Sequence, residues 1–183
     1  MTKQYGLLAF PAKHSLSPDI HNAGFKALGI DARYDLFEVP KNEFEDFAKS
    51  LKDSSISGLS VSLPYKEAII DFLDFVDDSA KKIGAVNTIL NRDGILSGYN
   101  TDFIGSNRAL GGVNGSLSGK KVVILGAGGA ARAVIYGLLK DGAEVVGILN
   151  KTLENAKKLA KEFSEIFGIK IKAFSSENLA EEL

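Results

Sequence analysis

Two patterns of apolar residues alternate along this chain, and together they predict an α/β protein. Short continuous apolar runs, such as Val122 to Leu125, predict buried strands. Between these runs, apolar residues recur at three- and four-residue spacing, as at Val134, Ile135 and Leu138, and predict amphipathic helices. Strands that alternate with helices favour mainly parallel sheets covered by helices.

Residues 1–110 are predicted to form one α/β domain with a mixed, mainly parallel sheet. Ser17-Pro18 is expected to open the first helix, with Ser17 as its N-cap and proline in the first helical position. Asp93-Gly94, between two apolar segments, predicts a hairpin turn. The predicted strands are residues 5–9, 34–39, 56–63, 86–90 and 95–99, and the predicted helices are residues 17–28, 44–51, 66–75 and 102–110.

The glycine-rich residues 111–119 predict a linker, after which residues 120–183 form a second domain. This domain contains predicted strands at 122–125, 144–149 and 169–174, separated by helices. These elements make up about one half of a dinucleotide-binding Rossmann sheet. Since residues 175–183 resemble the start of another helix, we expect a C-terminally truncated chain.

The turn after the strand at 122–125 has the spacing of a dinucleotide-binding loop. Gly126 would permit a tight turn, Gly128 would let backbone N–H groups approach a pyrophosphate, and Ala131 would let the helix pack closely. The start of that helix would supply N–H donors to the phosphates. A tight turn without a ligand is the alternative interpretation. The predicted cofactor-binding residues here are Gly126, Ala127, Gly128, Gly129 and Ala130.

The end of the next strand bears on which cofactor would bind. An NAD site usually has Asp or Glu there to hold the ribose 2′-hydroxyl, whereas this chain has Asn150-Lys151-Thr152. No carboxylate would repel a 2′-phosphate, and Lys151 adds a positive charge. We therefore predict NADP over NAD. The alternative is that Lys151 is a solvated lysine and Thr152 only a helix cap.

Composition narrows the class of protein and its partners. The 183 residues carry a net charge of −1, which predicts no general attraction to nucleic acid or membrane surfaces. The chain has no cysteine, which excludes disulfides and thiol catalysis, and its two histidines are too few for a typical zinc cluster. We expect a soluble cytoplasmic protein that binds a small molecule and no metal, and a homodimeric state is left open.

Short polar side chains of the first domain fall at predicted strand ends and turns, where binding groups concentrate. Each one alone has a simpler explanation as a helix cap or a solvated residue. Together they resemble the shikimate dehydrogenase family, over essentially the whole chain but only about two thirds of the family's usual length. The matching motifs are HSLSPDIHN at 14–22, LPYKE at 63–67, GAVNT at 84–88, NTDFIG at 100–105 and GAGGAARA at 126–133.

The resemblance implies the reversible, NADP-linked reduction of 3-dehydroshikimate to shikimate in aromatic biosynthesis. It implies that Lys66 and Asp102 form a catalytic pair near the reacting oxygen. Ser15, Ser17, Ser62 and Asn87, together with Lys66 and Asp102, would bind the substrate. Short polar side chains suit a small polyol acid, and a lysine ammonium can deliver the proton that ketone reduction requires.

Some positions depart from the family's pattern. Lys151 stands where arginine is usual and Asn155 where a second cation is usual, so the preference for NADP over NAD is expected to be weaker. Ser60 replaces an asparagine of the family pattern, whereas Ser62 keeps a hydroxyl. The alternatives are a quinate/shikimate dehydrogenase that uses NAD, and a ligand-sensing relative without catalysis.

Overall fold

The computed structural model describes residues 2–175, and the side chains of all of these except 112–114. The backbone divides into two compact units, Met1–Asn100 and Thr101–Leu183. The predicted helix at the C-terminal end, residues 175–183, lies outside the described residues except for Ser175.

The first unit is built on a mixed six-stranded sheet with the strand order β2-β1-β3-β5-β6-β4. Strand β1 pairs in parallel with β2 and β3, and β4 pairs in parallel with β6, whereas β5 runs antiparallel to both of its neighbours. The strands are Lys3–Ala9 (β1), Ala32–Glu38 (β2), Ile56–Val61 (β3), Phe75–Val76 (β4), Thr88–Arg92 (β5) and Ile95–Tyr99 (β6), the helices are Ser17–Leu28 (α1), Phe44–Ser50 (α2) and Asp78–Ile83 (α3), and short 3-10 helices cover Leu51–Asp53 and Ala68–Phe72.

The main core of this unit lies between the sheet and the segments around α2, α3 and the 3-10 helices. Leu8, Leu51, Ile69 and Leu96 are essentially inaccessible to solvent at its centre. A smaller cluster that includes Leu7 packs elsewhere on the unit. Burial of these side chains is the dominant favourable contribution to folding.

The second unit contains a parallel three-stranded sheet in the order β7-β8-β9. Its centre is apolar, since Ile135 and Leu138 of one helix and Leu159 and Phe163 of another are buried, together with Ile148 of the middle strand. The elements are α4 (Asp102–Asn114), β7 (Lys121–Leu125), α5 (Gly129–Lys140), β8 (Glu144–Asn150), α6 (Leu153–Phe167) and β9 (Lys172–Ser175). The predicted fold class, a mixed α/β unit followed by a partial Rossmann unit, is confirmed.

Residues 66–75 differ from the helix predicted for them. Only Ala68–Phe72 is helical, with 3-10 geometry, and Phe75–Val76 forms a strand beside β6. The Asp74 carboxylate accepts a hydrogen bond from the N–H of Leu96 in β6 at 2.9 Å, and this contact holds the start of β4 beside β6. The helix α3 that follows was not predicted, although Asp77 caps it by accepting from the Ser79 N–H at 2.9 Å.

The boundary between the units also differs from the expected linker. Helix α4 continues through residue 114, so the first four residues of the glycine-rich stretch 111–119 are helical. This helix packs against α5, where Gly137 leaves room for the Asn107 side chain. The division at Asn100 therefore falls ten residues before the predicted domain end at residue 110, and 101–114 belongs to the second unit.

No helix within residues 2–175 combines the length and the apolar character needed to cross a membrane.

Candidate active site

The ends of three strands meet at one end of the first unit's sheet. In β1 and β3, Leu8 pairs with Val61 in parallel, so both strands end at the same side. Because β5 is antiparallel to β3, its first residues lie beside that end. The Ser62 N–H donates to the Leu8 carbonyl at 2.9 Å, and the Val61 N–H donates to the Asn87 carbonyl at 2.7 Å. Ser62 and Asn87 are therefore brought to the same edge by backbone pairing.

The loop that leaves β1 is anchored at this edge on two sides. The Phe10 N–H donates to the Leu63 carbonyl at 3.0 Å. The N–H of Ala12, a buried residue, donates to the Glu38 carboxylate at 3.3 Å. These contacts hold the segment that leads to Ser15.

Ser15 and Ser17 form a hydrogen-bonded pair at the start of α1. Their hydroxyls lie 3.1 Å apart, and the Ser17 N–H donates to the Ser15 hydroxyl oxygen at 3.2 Å. The structure corrects the predicted cap, because Leu16 is the N-cap and Ser17 is the first helical residue. The Ser15 side chain satisfies one of the N–H groups that a helix start leaves without an intrahelical partner. Both hydroxyls thus sit at the positive end of the helix dipole, which favours an anion.

Lys66 follows a turn that a buried tyrosine holds in place. The Tyr65 hydroxyl donates to the Val39 carbonyl, and its ring stacks on Phe44 with centroids 4.3 Å apart. Burial raises the pKa of the Tyr65 hydroxyl. The Lys66 carbonyl accepts from the Val86 N–H at 2.7 Å. The lysine backbone is therefore tied to the core on both sides, while its side chain is only half-buried.

Asn87 has a side chain oriented by its neighbour. The Thr88 hydroxyl donates to the Asn87 Oδ1 at 2.8 Å, and the Asn87 N–H donates to the Tyr99 carbonyl at 3.0 Å.

Five of the predicted substrate residues thus belong to segments at one end of the first unit's sheet. These residues are Ser15, Ser17, Ser62, Lys66 and Asn87.

Asp102, the other predicted catalytic residue, belongs to the second unit. It is the first residue of α4, where a carboxylate is favoured by the helix dipole. Its pairing with Lys66 stays a prediction. The sequence predicted no role for Asn100, which is only 3% exposed; its side-chain amide donates to the Ala85 carbonyl at 2.9 Å. A polar residue at the end of an apolar strand, two positions before Asp102, was the available signal.

The predicted phosphate-binding turn joins β7 to α5 in the second unit. Gly126 has φ of 110°, a conformation that L side chains rarely adopt, and its N–H donates to the Leu149 carbonyl at 2.7 Å. Gly128 is the N-cap, and α5 begins at Gly129 with Ala130 as its second residue. This is the strand, glycine turn and helix arrangement that holds a pyrophosphate. Ala127 lies between the two turn glycines.

The surroundings of this turn fit a dinucleotide. A Cβ added at Gly128 would meet no atom within 4 Å, and its φ of −96° is ordinary, so neither packing nor backbone conformation in the described chain requires glycine there. Close approach of a ligand supplies a reason for the missing side chain. The first turn of α5 contains no acidic residue, so its free N–H groups face no competing carboxylate within the helix.

Asn150, Lys151 and Thr152 form the turn between β8 and α6. The Asn150 amide donates to the Thr152 carbonyl at 2.9 Å and braces the turn. Lys151 and Thr152 are exposed, and Thr152 is the N-cap of α6 without a side-chain hydrogen bond. The first carboxylate of α6, on Glu154, is engaged by Lys157 at 2.8 Å. The turn itself thus presents a cation and no acid.

Across residues 2–175, no cluster of three or more histidine and carboxylate side chains is arranged to hold a metal ion.

Two family profiles match this chain. Residues 7–89 match the shikimate dehydrogenase substrate binding domain, and residues 109–182 match the shikimate / quinate 5-dehydrogenase profile. The first match covers the unit that holds Ser15, Lys66 and Asn87, and the second covers the glycine turn.

Individual proteins are similar over nearly the whole chain. A shikimate dehydrogenase (NADP(+)) of Thermococcus kodakarensis is 48% identical over 100% of this chain and 64% of its own length. A crystal structure of a shikimate dehydrogenase in complex with NADP+ has a TM-score of 0.85 at 41% identity, covering 93% of this chain and 61% of the other. The Listeria monocytogenes shikimate 5-dehydrogenase in complex with shikimate and NAD has a TM-score of 0.85 at 37% identity, covering 98% and 63%. The chain therefore spans under two thirds of the length of these relatives.

Proposed function

We propose, from the premise that this chain belongs to the shikimate dehydrogenase family, that it carries the substrate site and the first half of the cofactor site of an NADP-dependent shikimate dehydrogenase. The reaction is the reversible reduction of 3-dehydroshikimate to shikimate. The single observation that carries the proposal is the gathering of Ser62, Lys66 and Asn87 with the serine pair at one end of the first sheet.

The chemistry of these side chains suits a small acid that carries several hydroxyls. The Ser15 and Ser17 hydroxyls, at the start of α1, bind the carboxylate, where the helix dipole adds to the attraction. Ser62 and Asn87 accept from and donate to ring hydroxyls. A net charge of −1 over the chain supports small-molecule partners rather than nucleic acid or a membrane surface. Sedimentation of the purified protein decides whether it forms a homodimer.

Lys66 holds the proton that the reaction needs. NADPH, when bound, supplies the hydride to the ketone carbon. The Lys66 ammonium donates a proton to the oxygen that becomes the alkoxide, and in the reverse direction the neutral amine accepts it. The anchored backbone around Tyr65 and Lys66 limits how far the ammonium can move, which favours proton transfer by orientation. Asp102 orients the ammonium and accepts from a substrate hydroxyl.

The turn after β8 supports NADP as the cofactor. The backbone N–H groups at the start of α5 bind the pyrophosphate, and Lys151 pairs with the 2′-phosphate of the adenosine ribose. Asn150 braces the turn that presents this lysine. A second candidate is a quinate/shikimate dehydrogenase that uses NAD, because one lysine gives less phosphate selectivity than an arginine fork and a similar structure contains shikimate and NAD.

Because residues 1–183 carry only the first half of the proposed cofactor site, we expect this chain alone to turn over poorly or not at all. The deciding measurement is therefore nicotinamide reduction by a protein with the complete cofactor site, with shikimate or quinate as substrate and NADP or NAD as oxidant. Reduction with shikimate and NADP alone supports the main proposal. Reduction mainly with quinate and NAD favours the second candidate. No reduction with any pair, in a protein that binds shikimate, contradicts catalysis and favours a ligand-sensing role.

The role of Lys66 has its own test. We expect Lys66→Ala to lower kcat by a factor of about 100 or more, the contribution typical of general acid–base catalysis, with a much smaller rise in KM for shikimate. Lys82, exposed on α3, offers a control in Lys82→Ala, which should leave both constants unchanged. A Lys66→Ala protein with raised KM and unchanged kcat would show that Lys66 binds substrate without transferring the proton.

A further inference from the structure

Helix α1 carries the serine pair but is only weakly packed on the first unit. None of its residues is buried, and its apolar residues Ile20 and Leu28 are 66% and 74% exposed. Ring contacts attach it on one side, since His21 stacks on Tyr34 with centroids 4.2 Å apart. Helices in proteins are usually held by burial of an apolar face. The placement of α1 therefore depends on specific polar contacts more than on packing.

The Asn22 side chain supplies the most specific of these contacts. Its Nδ2 donates to the Tyr34 carbonyl at 2.9 Å, and its Oδ1 accepts from the Tyr34 N–H at 2.8 Å. Tyr34 lies in β2, which is the edge strand of the sheet. The amide thus makes the two bonds that a further strand would make with this residue. It locks α1 to one position along the edge strand.

The serine pair lies between two fixed points. On its N-terminal side the Ala12 N–H is held by Glu38 at the end of β2. On its C-terminal side Asn22 holds α1 to Tyr34 of the same strand. Both anchors fix the positions of Ser15 and Ser17 relative to β2. Because β2 belongs to the same sheet, they also fix these positions relative to Ser62 and Asn87.

We infer that Asn22 is a positioning residue for substrate binding: by clamping α1 to the edge strand, it sets where the Ser15 and Ser17 hydroxyls stand for the substrate carboxylate. The inference rests on the proposed function for its ligand, but its structural part does not. Without the clamp, the start of α1 shifts along the sheet, and the serine pair spends less time in the binding geometry.

The test compares Asn22→Ala with Asn91→Ala in the complete 183-residue chain. Asn91 is a matched control, because its amide also makes two backbone contacts, donating to the Leu51 carbonyl at 2.8 Å and accepting from the Gly94 N–H at 3.1 Å. We expect both variants to lose stability. Shikimate affinity, measured by calorimetric titration, should fall by about fivefold or more in Asn22→Ala and stay within about twofold in Asn91→Ala. Equal losses in both variants would overturn the inference.

A second readout separates this inference from the proposed function. Asn22→Ala should move the NMR amide resonances of Ser15 and Ser17 and speed hydrogen exchange at the Tyr34 N–H, whereas Asn91→Ala should change none of them. If the parent chain does not bind shikimate, the proposed substrate is wrong, and the test of the clamp rests on the Ser15 and Ser17 amide resonances alone. Movement of these resonances in Asn22→Ala supports the clamp, and unchanged resonances refute it. If Asn22→Ala does not fold, Asn22→Asp replaces it, because the carboxylate keeps the acceptor for the Tyr34 N–H but loses the donor to the Tyr34 carbonyl. Asn22→Asp should then move the Ser15 and Ser17 amide resonances away from their positions in the parent chain, and unchanged resonances would refute the clamp.

Discussion

Replacing Tyr65 with phenylalanine removes one buried hydroxyl and leaves the ring in place. The stacked contact with Phe44, at 4.3 Å between centroids, is retained, so no cavity forms. The substitution removes the hydroxyl that donates a hydrogen bond to the Val39 carbonyl. Both residues are buried, with Val39 7% and Tyr65 2% exposed, so the carbonyl is left without this donor in the core. Leaving a buried acceptor unpaired costs about 1–3 kcal/mol. For a unit of this size, each kcal/mol lowers the melting temperature by about 4–8 °C.

The assay is urea and thermal unfolding of Tyr65→Phe followed by circular dichroism, with Tyr34→Phe as the matched control. The Tyr34 hydroxyl is also buried but makes no hydrogen bond of normal geometry. Burial raises its pKa, an effect that the nearby Ser60 side chain only partly opposes. We therefore expect Tyr34→Phe to be neutral or slightly stabilising. A Tyr65→Phe protein as stable as the parent, or equal losses in both variants, would refute the anchoring role of the Tyr65 hydroxyl.

Three further predictions concern the second unit and the helix caps. Gly126→Ala should lower the free energy of unfolding by about 1–3 kcal/mol, because the φ of Gly126 is 110°. Gly128→Ala should leave the stability nearly unchanged, because an added Cβ meets no atom, but should weaken NADP binding as measured by fluorescence titration. Lys151→Ala should weaken NADP binding but not NAD binding, and the difference should shrink as salt is raised. The Ser79 hydroxyl and N–H lower the pKa of Asp77, so this cap stabilises the fold above the ordinary aspartate pKa and is lost as pH falls through the lower folded value. Thermal unfolding across pH should therefore show Asp77→Asn less stable than the parent near neutrality, with the gap closing below about pH 4.

The glycine turn shows how far local rules reach. An apolar run, Gly126 in a conformation that L side chains rarely adopt, and a helix with an apolar stripe are all properties of adjacent residues. Their order in the sequence is enough to predict strand, turn and helix, and the prediction is confirmed. The same holds for the Asp93-Gly94 hairpin, where Asp93 and Gly94 both have positive φ. The burial predicted for the apolar run before Gly126 is wrong: of β7 only Ile124 is buried, while Val123 and Leu125 are 46% and 76% exposed, because β7 is the edge strand of its three-stranded sheet.

The segment from Lys66 to Val76 shows where local rules fail. Its apolar spacing predicts one helix, but Phe75 and Val76 pair with Ser97 and Gly98, more than twenty residues away. Hydrophobic periodicity carries no information about such a partner, and pairing across the sheet overrides the helical preference. The helical extension of α4 into the glycine-rich stretch is another departure from local rules, because glycine is a poor helix former and a glycine-rich composition predicts a linker.

The sequence by itself predicted the fold class and the family, which are confirmed, because strand runs, helix spacing and motif residues are properties of neighbouring positions. The roles of the proposed site residues stay predictions. Only the tertiary structure decided how backbone pairing brings Ser62 and Asn87 to one edge of the sheet, how Tyr65 anchors the turn before Lys66, and how Asn22 clamps α1 to the edge strand. The Asn22 and Tyr65 contacts join residues that are 12 and 26 positions apart. Their geometry follows from the strand order and register of the sheet, which local spacing does not specify.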